Sequence, residues 1–240
     1  MLDNQGKKPA SSGRSSTNDV YELLRRKILE HSIAPDTKIN ILQIAKELGV
    51  SATPVREAMR LLQGDNLLVA TSNKGYATTE TLGLKGVRDL FELRLLIEPW
   101  AAGVAASNRL LNPGLELHAE IKSFDPQADS IQHEMFGHDT RFHSAILSST
   151  ENQAAIQAFE QTHCHLHLFR MFRDDWDWKT SIAQHEAIAD AIAVGDPASA
   201  EEAMRLHLNS AYSRFIEVMP KNSETRPLAK AASSNLIRKD

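Results

Sequence analysis

The 240-residue chain has a single cysteine, Cys164. That count excludes an intrachain disulfide and any zinc cluster built from several thiolates, so a metal here would have to be held by imidazole and carboxylate. Cys164 itself reads as a small buried filler. No apolar run has the length needed to cross a bilayer. The opening MLDNQGKKPASSGRSS lacks the apolar stretch of a secretory signal. The expectation is a cytoplasmic protein with no membrane partner. Strand-like alternation is missing after Gly83, which leaves that part of the chain to helices.

Charge of one sign is also lacking overall, since the formal net charge is only -4. The two ends differ, however. The first 80 residues hold 11 Lys and Arg against 9 Asp and Glu, and the remainder holds 16 against 22. The first third is the better candidate for meeting nucleic acid.

Residues 1–16 and 220–240 are poor in large apolar side chains and read as disordered tails. From Thr17 onward Val20, Leu23, Leu24 and Ile28 recur at helical spacing, with Thr17 or Asn18 as N-cap and a stop before Pro35. A second helix is expected over 41–48, closed by a left-handed Gly49. Ser51 or Thr53 caps a third, with Pro54 in its first turn and Glu57 placed for a capping box. Its buried side should carry Val55, Ala58, Met59, Leu61 and Leu62. LLVATSNKGYATTE then reads as a hairpin turning at Asn73-Lys74-Gly75.

Three short helices and a hairpin make a winged helix-turn-helix, here over residues 17–81. In that arrangement the third helix enters the major groove and the wing lies along the backbone or minor groove. Thr53 stands at the start of that helix, and Arg56 and Arg60 lie four apart on its polar side. Arginine suits bidentate contact with guanine or phosphate. Lys74 belongs to the wing turn. The alternative is that Arg56 and Arg60 are solvated charges, or pair with Glu57 and Asp65.

Residues 82–219 read as an all-α antiparallel bundle of about six helices, over 83–107, 113–123, 127–149, 152–173, 178–194 and 197–219. The breaks carry turn chemistry, as at Asn112-Pro113-Gly114 and Gly195-Asp196-Pro197. Asn152 is read as the cap of the fourth helix. The whole chain is thus mainly α, a winged unit followed by a bundle. Bundles build ligand and metal sites from side chains on facing helices.

Asp139 and His143 share one helix face at i, i+4, beside Phe142 and Ile146. His185 joins the apolar stripe of Ile182, Ala189 and Ile192, and His207 that of Met204, Leu208, Ala211 and Phe215. A histidine on such a stripe is by default a core residue satisfied by one hydrogen bond. Together, though, the four supply one carboxylate and three imidazoles from three helices, a set suited to a divalent metal, with zinc ranked ahead of nickel, iron or manganese. His138 points about 100° away from Asp139 on a helix and is set aside. His31, His118 and His133 sit among polar or turn residues and read as surface.

Two stretches resemble known families. VSATPVREAMRLLQGDNLL, with LLRRKILEHSIAPDTKINILQIAKELG and the wing SNKGY, resembles the DNA-binding domain of GntR-type bacterial transcription regulators. The resemblance implies operator contacts by Arg25, Thr53, Arg56 and Gly75. The family's recognition helix usually opens Ser-Arg-Thr, whereas this chain has Ser51-Ala52-Thr53, which removes one expected DNA contact. ELRLLIEPWAAGVAA, DTRFHSAILSSTENQ and QHEAIADAIAVGDPASAEEAMRLHL resemble the FCD effector-binding domain of the FadR branch, in its shorter VanR-like variety. Many such domains bind a divalent metal through positions that fall here on Asp139, His143, His185 and His207.

The resemblance further implies a small carboxylate or hydroxy acid completing the metal shell, its other end meeting a cation. Arg94, on an otherwise apolar helix, is the candidate, with an internal ion pair to Glu98 as the equal alternative. His163, His167 and Arg170 either line the same pocket or stripe a surface. Hydrolysis would need a general base beside the metal, and Glu186 projects off the ligand face. The expected function is a homodimeric transcription regulator, a repressor type, that binds an inverted-repeat DNA operator under control of that acid. A metal-dependent enzyme fused to a DNA module, or a regulator with a metal-free pocket, are the alternatives.

Overall fold

A computed structural model describes residues 16–71, 75–171, 177–217 and 219. Both tails, apart from Ser16, and Lys74 lie outside these residues. The chain divides into two compact units, residues 1–80 and 81–240.

In the first unit, α1 (Thr17–Leu29), α2 (Ile41–Leu48) and α3 (Ala52–Gly64) are followed by β2 (Leu68–Thr71) and β3 (Gly75–Thr78). The first cap is Ser16, not Thr17 or Asn18. Its side chain accepts from the Asp19 amide while the Asp19 carboxylate accepts from its own, a reciprocal capping box. Gly49 closes α2 in the left-handed region, φ 65°, as expected. Ser51 is the N-cap residue of α3 but makes no side-chain cap bond, so the capping box expected there with Glu57 does not form. Glu57 instead receives Arg60 at 2.9 Å.

Val55, Ala58, Met59 and Leu62 are buried, whereas Leu61 is 50% exposed and does not belong to that face. A two-residue strand β1 (Lys38–Ile39), which the sequence did not announce, pairs with β3 and gives the antiparallel order β1-β3-β2. Tyr21 of α1 donates its hydroxyl to Asp65 at 2.6 Å, anchoring the end of α3.

The second unit is helical: α4 (Leu84–Ser107), α5 (Gly114–Ser123), α6 (Ile131–Ser148), α7 (Gln153–Glu160), α8 (Cys164–Phe169), α9 (Trp178–Ala193) and α10 (Pro197–Glu217). The single segment expected over 152–173 is two helices, because His163 takes a left-handed backbone, φ 46°, and breaks the ladder. Asn152 caps α7 by accepting from the Ala155 amide. The core joins Phe91, Ala102, Leu117, Phe142, Ile146, Ile188, Met204 and Leu208. Gly114 lets α5 lie against α9: a Cβ there would meet the Ala193 Cα at 2.7 Å. Among the described residues no helix is long and apolar enough to cross a membrane.

Candidate metal centre and effector cavity

Asp139 and His143 project from α6, His185 from α9 and His207 from α10. Each offers one ligand atom, and these four atoms all lie within 4.8 Å of one another. The three histidines are buried, at 2% exposure or less, while Asp139 keeps some exposure. His185 and His207 bring their Nε2 atoms to 3.4 Å. Asp139 Oδ1 lies 3.5 Å from His143 Nε2 and 3.6 Å from His185 Nε2. One carboxylate oxygen and three ring nitrogens therefore surround a common point, a donor set that suits zinc or a similar ion.

Burial pushes His207 down to about 3 and carries His185 well below the usual imidazole range, so both rings are neutral. Neutral imidazole and ionised carboxylate are the forms a divalent metal requires. Asp139 is held ionised: burial opposes its charge, but His143 and His165 outweigh it. His143 differs, because Glu98 and Asp139 raise its pKa against the effect of burial. Its Nδ1 is in close contact with Glu98 Oε2. The remaining nitrogen of His207, Nδ1, donates to Gln184 Oε1 at 3.1 Å.

Two residues outside the expected set belong to this neighbourhood. His165 of α8 lies 2.9 Å from Asp139 Oδ2 through Nδ1, steadying the carboxylate from its far side. His138, set aside because it does not share the Asp139 face, is fully buried and reaches His185 Nδ1 at 2.9 Å. A signal for His138 was present: Met135, His138, Phe142 and Ile146 recur at core spacing along α6, and all four are buried. Nothing in the local spacing of His165 marks it, because its partner lies 26 residues away.

A cavity of about 50 Å³ opens beside the cluster, lined in part by Asp139, His207, Arg94 and Arg214. Its apolar wall comes from Met135, Phe136, Leu168, Phe169 and Phe215. Arg94 Nε donates to Glu98 Oε1 at 2.5 Å, the internal ion pair of the alternative reading, and Arg94 also lines the cavity. His163, His167 and Arg170 do not line it. From α8 it is Leu168 and Phe169 that line the cavity. Arg214, not anticipated from the sequence, lines the cavity and donates to Ser181 Oγ at 3.0 Å and Ser210 Oγ at 2.7 Å. Cys164 is buried, as a filler would be.

In the winged unit Thr53 and Arg56 are exposed on α3, and Arg60 is exposed in its surface pair with Glu57. Arg25 is half-buried on α1. Gly75 opens β3 with φ 86°, a conformation that favours glycine.

Residues 89–210 match the FCD domain, and residues 16–77 match the family described as bacterial regulatory proteins, gntR family. The chain is 25% identical over 210 residues to an uncharacterised HTH-type transcriptional regulator, YdhC, of Bacillus subtilis, covering 85% of this chain and 92% of that one. It is 24% identical over 212 residues to the HTH-type transcriptional repressor GlaR of Escherichia coli, covering 79% and 91%. A solved putative GntR regulator from Rhodococcus sp. RHA1 shares the fold, with a TM-score of 0.67 and 21% identity over 85% of this chain and 99% of that one.

Proposed function

The chain belongs to the GntR family of bacterial regulatory proteins and carries the FCD domain, and from that premise we propose that a small carboxylate metabolite, bound at a metal centre in the helical unit, sets its operator affinity. Its relatives are transcription regulators, several of them repressors, and not enzymes. One observation carries the reading. Two members of the Asp139, His143, His185 and His207 cluster, Asp139 and His207, line a cavity that also presents guanidinium groups and a serine hydroxyl.

Each part has a role in this reading. Asp139 and the three histidines hold the ion, and His165 orients Asp139. A bound divalent ion supplies a Lewis-acidic anchor for a carboxylate. Arg94, Arg214 and Ser181 all line the cavity and are placed to meet the far end of the acid. The aromatic and aliphatic wall excludes water around its short apolar body. A cavity of about 50 Å³ suits an acid of a few heavy atoms, well below the usual drug-sized site.

For DNA, Thr53, Arg56 and Arg60 of α3 read the groove, while Arg25, Lys74 and Gly75 meet the backbone or minor groove. A homodimer places two wings on an inverted repeat. The acid acts by favouring one of two conformations that differ in operator affinity, which requires unequal binding to the two.

The test is elemental analysis of purified protein, then a thermal-shift screen of short hydroxy acids and dicarboxylates, then operator titration. The expected result is about one divalent ion per chain, a raised melting temperature with a subset of acids, and a change in operator affinity of roughly 5- to 150-fold. Replacing both His185 and His207 with Ala should remove the ion while apo-protein still binds operator. Normal metal content in that variant would return these residues to core histidines. Steady turnover of an acid would favour the catalytic alternative.

A further inference from the structure

His138 has no role in the metal centre as described, yet it is buried completely and lies between that centre and the surface. Its Nε2 is 2.9 Å from His185 Nδ1. Its Nδ1 is 3.1 Å from Glu120 Oε1 on α5. Glu120 is in turn gripped by Arg141, whose Nε and Nη2 donate to its two oxygens at 2.8 Å each. The four groups form an unbroken chain from an exposed guanidinium to a candidate ligand.

The partners decide where each proton sits. Glu120 is held ionised, because Arg141 and His138 outweigh the cost of its burial. A carboxylate only accepts, so His138 must donate from Nδ1. In the neutral ring that single N–H is spent on Glu120, which leaves the His138 Nε2, facing His185 Nδ1 at 2.9 Å, as an acceptor. The donor facing that atom is then His185 Nδ1–H. His185 consequently turns a bare Nε2 toward His207 Nε2 at 3.4 Å and Asp139 Oδ1 at 3.6 Å.

Neighbouring rings hold the arrangement. Phe142 stacks on His185 with centroids 4.1 Å apart and planes within 8°. Phe124 meets His138 edge-on at 5.5 Å. The other two imidazoles are backed more directly, His143 by Glu98 and His207 by Gln184. Metal-bound histidines characteristically donate their second N–H to a carboxylate or carbonyl, which fixes the tautomer and raises ligand basicity. For His185 that carboxylate is reached through a second imidazole.

We propose that Glu120 and His138 are positioning residues that lock His185 in its metal-binding tautomer, so that the grip of the buried site depends on a carboxylate near the surface of α5. The inference rests on the metal reading above, but its proton arrangement can be read without any metal.

The experiment uses the full chain in wild-type form and as His138→Leu, His138→Gln and Glu120→Ala. Zinc affinity is measured by chelator competition, and the His185 tautomer of metal-free protein by ¹⁵N NMR. Wild type should show its lone pair on His185 Nε2. His138→Leu and Glu120→Ala should weaken zinc binding by roughly 10- to 100-fold, with a mixed His185 tautomer. His138→Gln, whose amide can both accept from His185 and donate to Glu120, should recover part of that loss. If His138→Leu does not fold, Glu120→Ala and His138→Gln decide. Unchanged zinc affinity and tautomer in Glu120→Ala would overturn the proposal. A wild type with the expected tautomer but no zinc affinity would overturn the metal reading instead.

Discussion

The two units of this protein use charge in opposite ways. In the winged unit Arg56 and Arg60 stand in solvent, and the Arg60–Glu57 pair is 69% and 49% exposed. In the helical unit Arg94, Glu98 and His143 pair at 3% side-chain exposure or less. Exposed charge contributes little to folding and stays available to a partner. Buried charge is part of the fold, because removing one member strands another in a poorly solvating interior. The same residue types thus stand in solvent in one unit and form an internal scaffold in the other.

The strongest way to break this comparison is to remove one charge from each unit and measure unfolding with denaturant. Glu98→Ala strands Arg94 and deprives His143 of its partner, so a loss of about 3–5 kcal/mol is expected. Glu57→Ala removes only the exposed partner of Arg60, with an expected loss of about 0–1 kcal/mol. Similar losses would mean that burial does not distinguish the two pairs.

A smaller effect should appear in DNA binding. Arg56→Ala should weaken operator binding by about 1–3 kcal/mol, as for loss of a bidentate base contact. Its metal content and melting temperature should stay those of wild type. Normal gel shifts would mean that the exposed face of α3 is not the reading surface.

The smallest effect concerns a pair that sharpens the contrast from within the helical unit. His118 on α5 lies 2.8 Å from Asp190 on α9, with both side chains well exposed. The Asp190 hydrogen bond raises the His118 pKa. A raised folded pKa means that this contribution is fully present below the unfolded imidazole value and fades as pH climbs through the folded one. In Asp190→Asn the NMR titration of His118 should fall back toward the ordinary imidazole range. Solvent screening keeps the effect on stability slight, and a large loss of stability would show that this surface pair behaves like a buried one.

Much of the fold was legible because periodicity and turn chemistry are local. The Gly49 cap, the break at Asn112–Gly114 and the apolar stripes of α9 and α10 all follow from neighbours within a turn or two. The misplacements were local competitions as well. Ser16 captured the first cap with Asp19, and Arg60 took Glu57 away from the cap of α3. Leu61 kept an apolar side chain on an exposed helix face, where sequence cannot tell it from a core residue.

The site was legible in its residue types and only partly in its membership. Asp139 and His143 declare a shared face by their spacing, and His185 and His207 each sit on an apolar stripe. His138 escaped because facing Asp139 was the wrong criterion. It lies on the core stripe of α6 and meets His185 on another helix. Arg214 and His165 had no local mark. His163, His167 and Arg170 looked equivalent to them, yet from α8 it is Leu168 and Phe169 that line the cavity.

By itself the sequence determined the succession of a winged unit and a helical unit, and the donor chemistry of a site without thiolates. Only the tertiary structure decided which nitrogen and oxygen atoms converge, which guanidinium groups line the cavity, and which side chains back the histidines. Helical spacing acts over a few residues and is written in the chain, whereas burial and hydrogen-bond partnership across 47 residues, as between His138 and His185, exist only once the helices have packed.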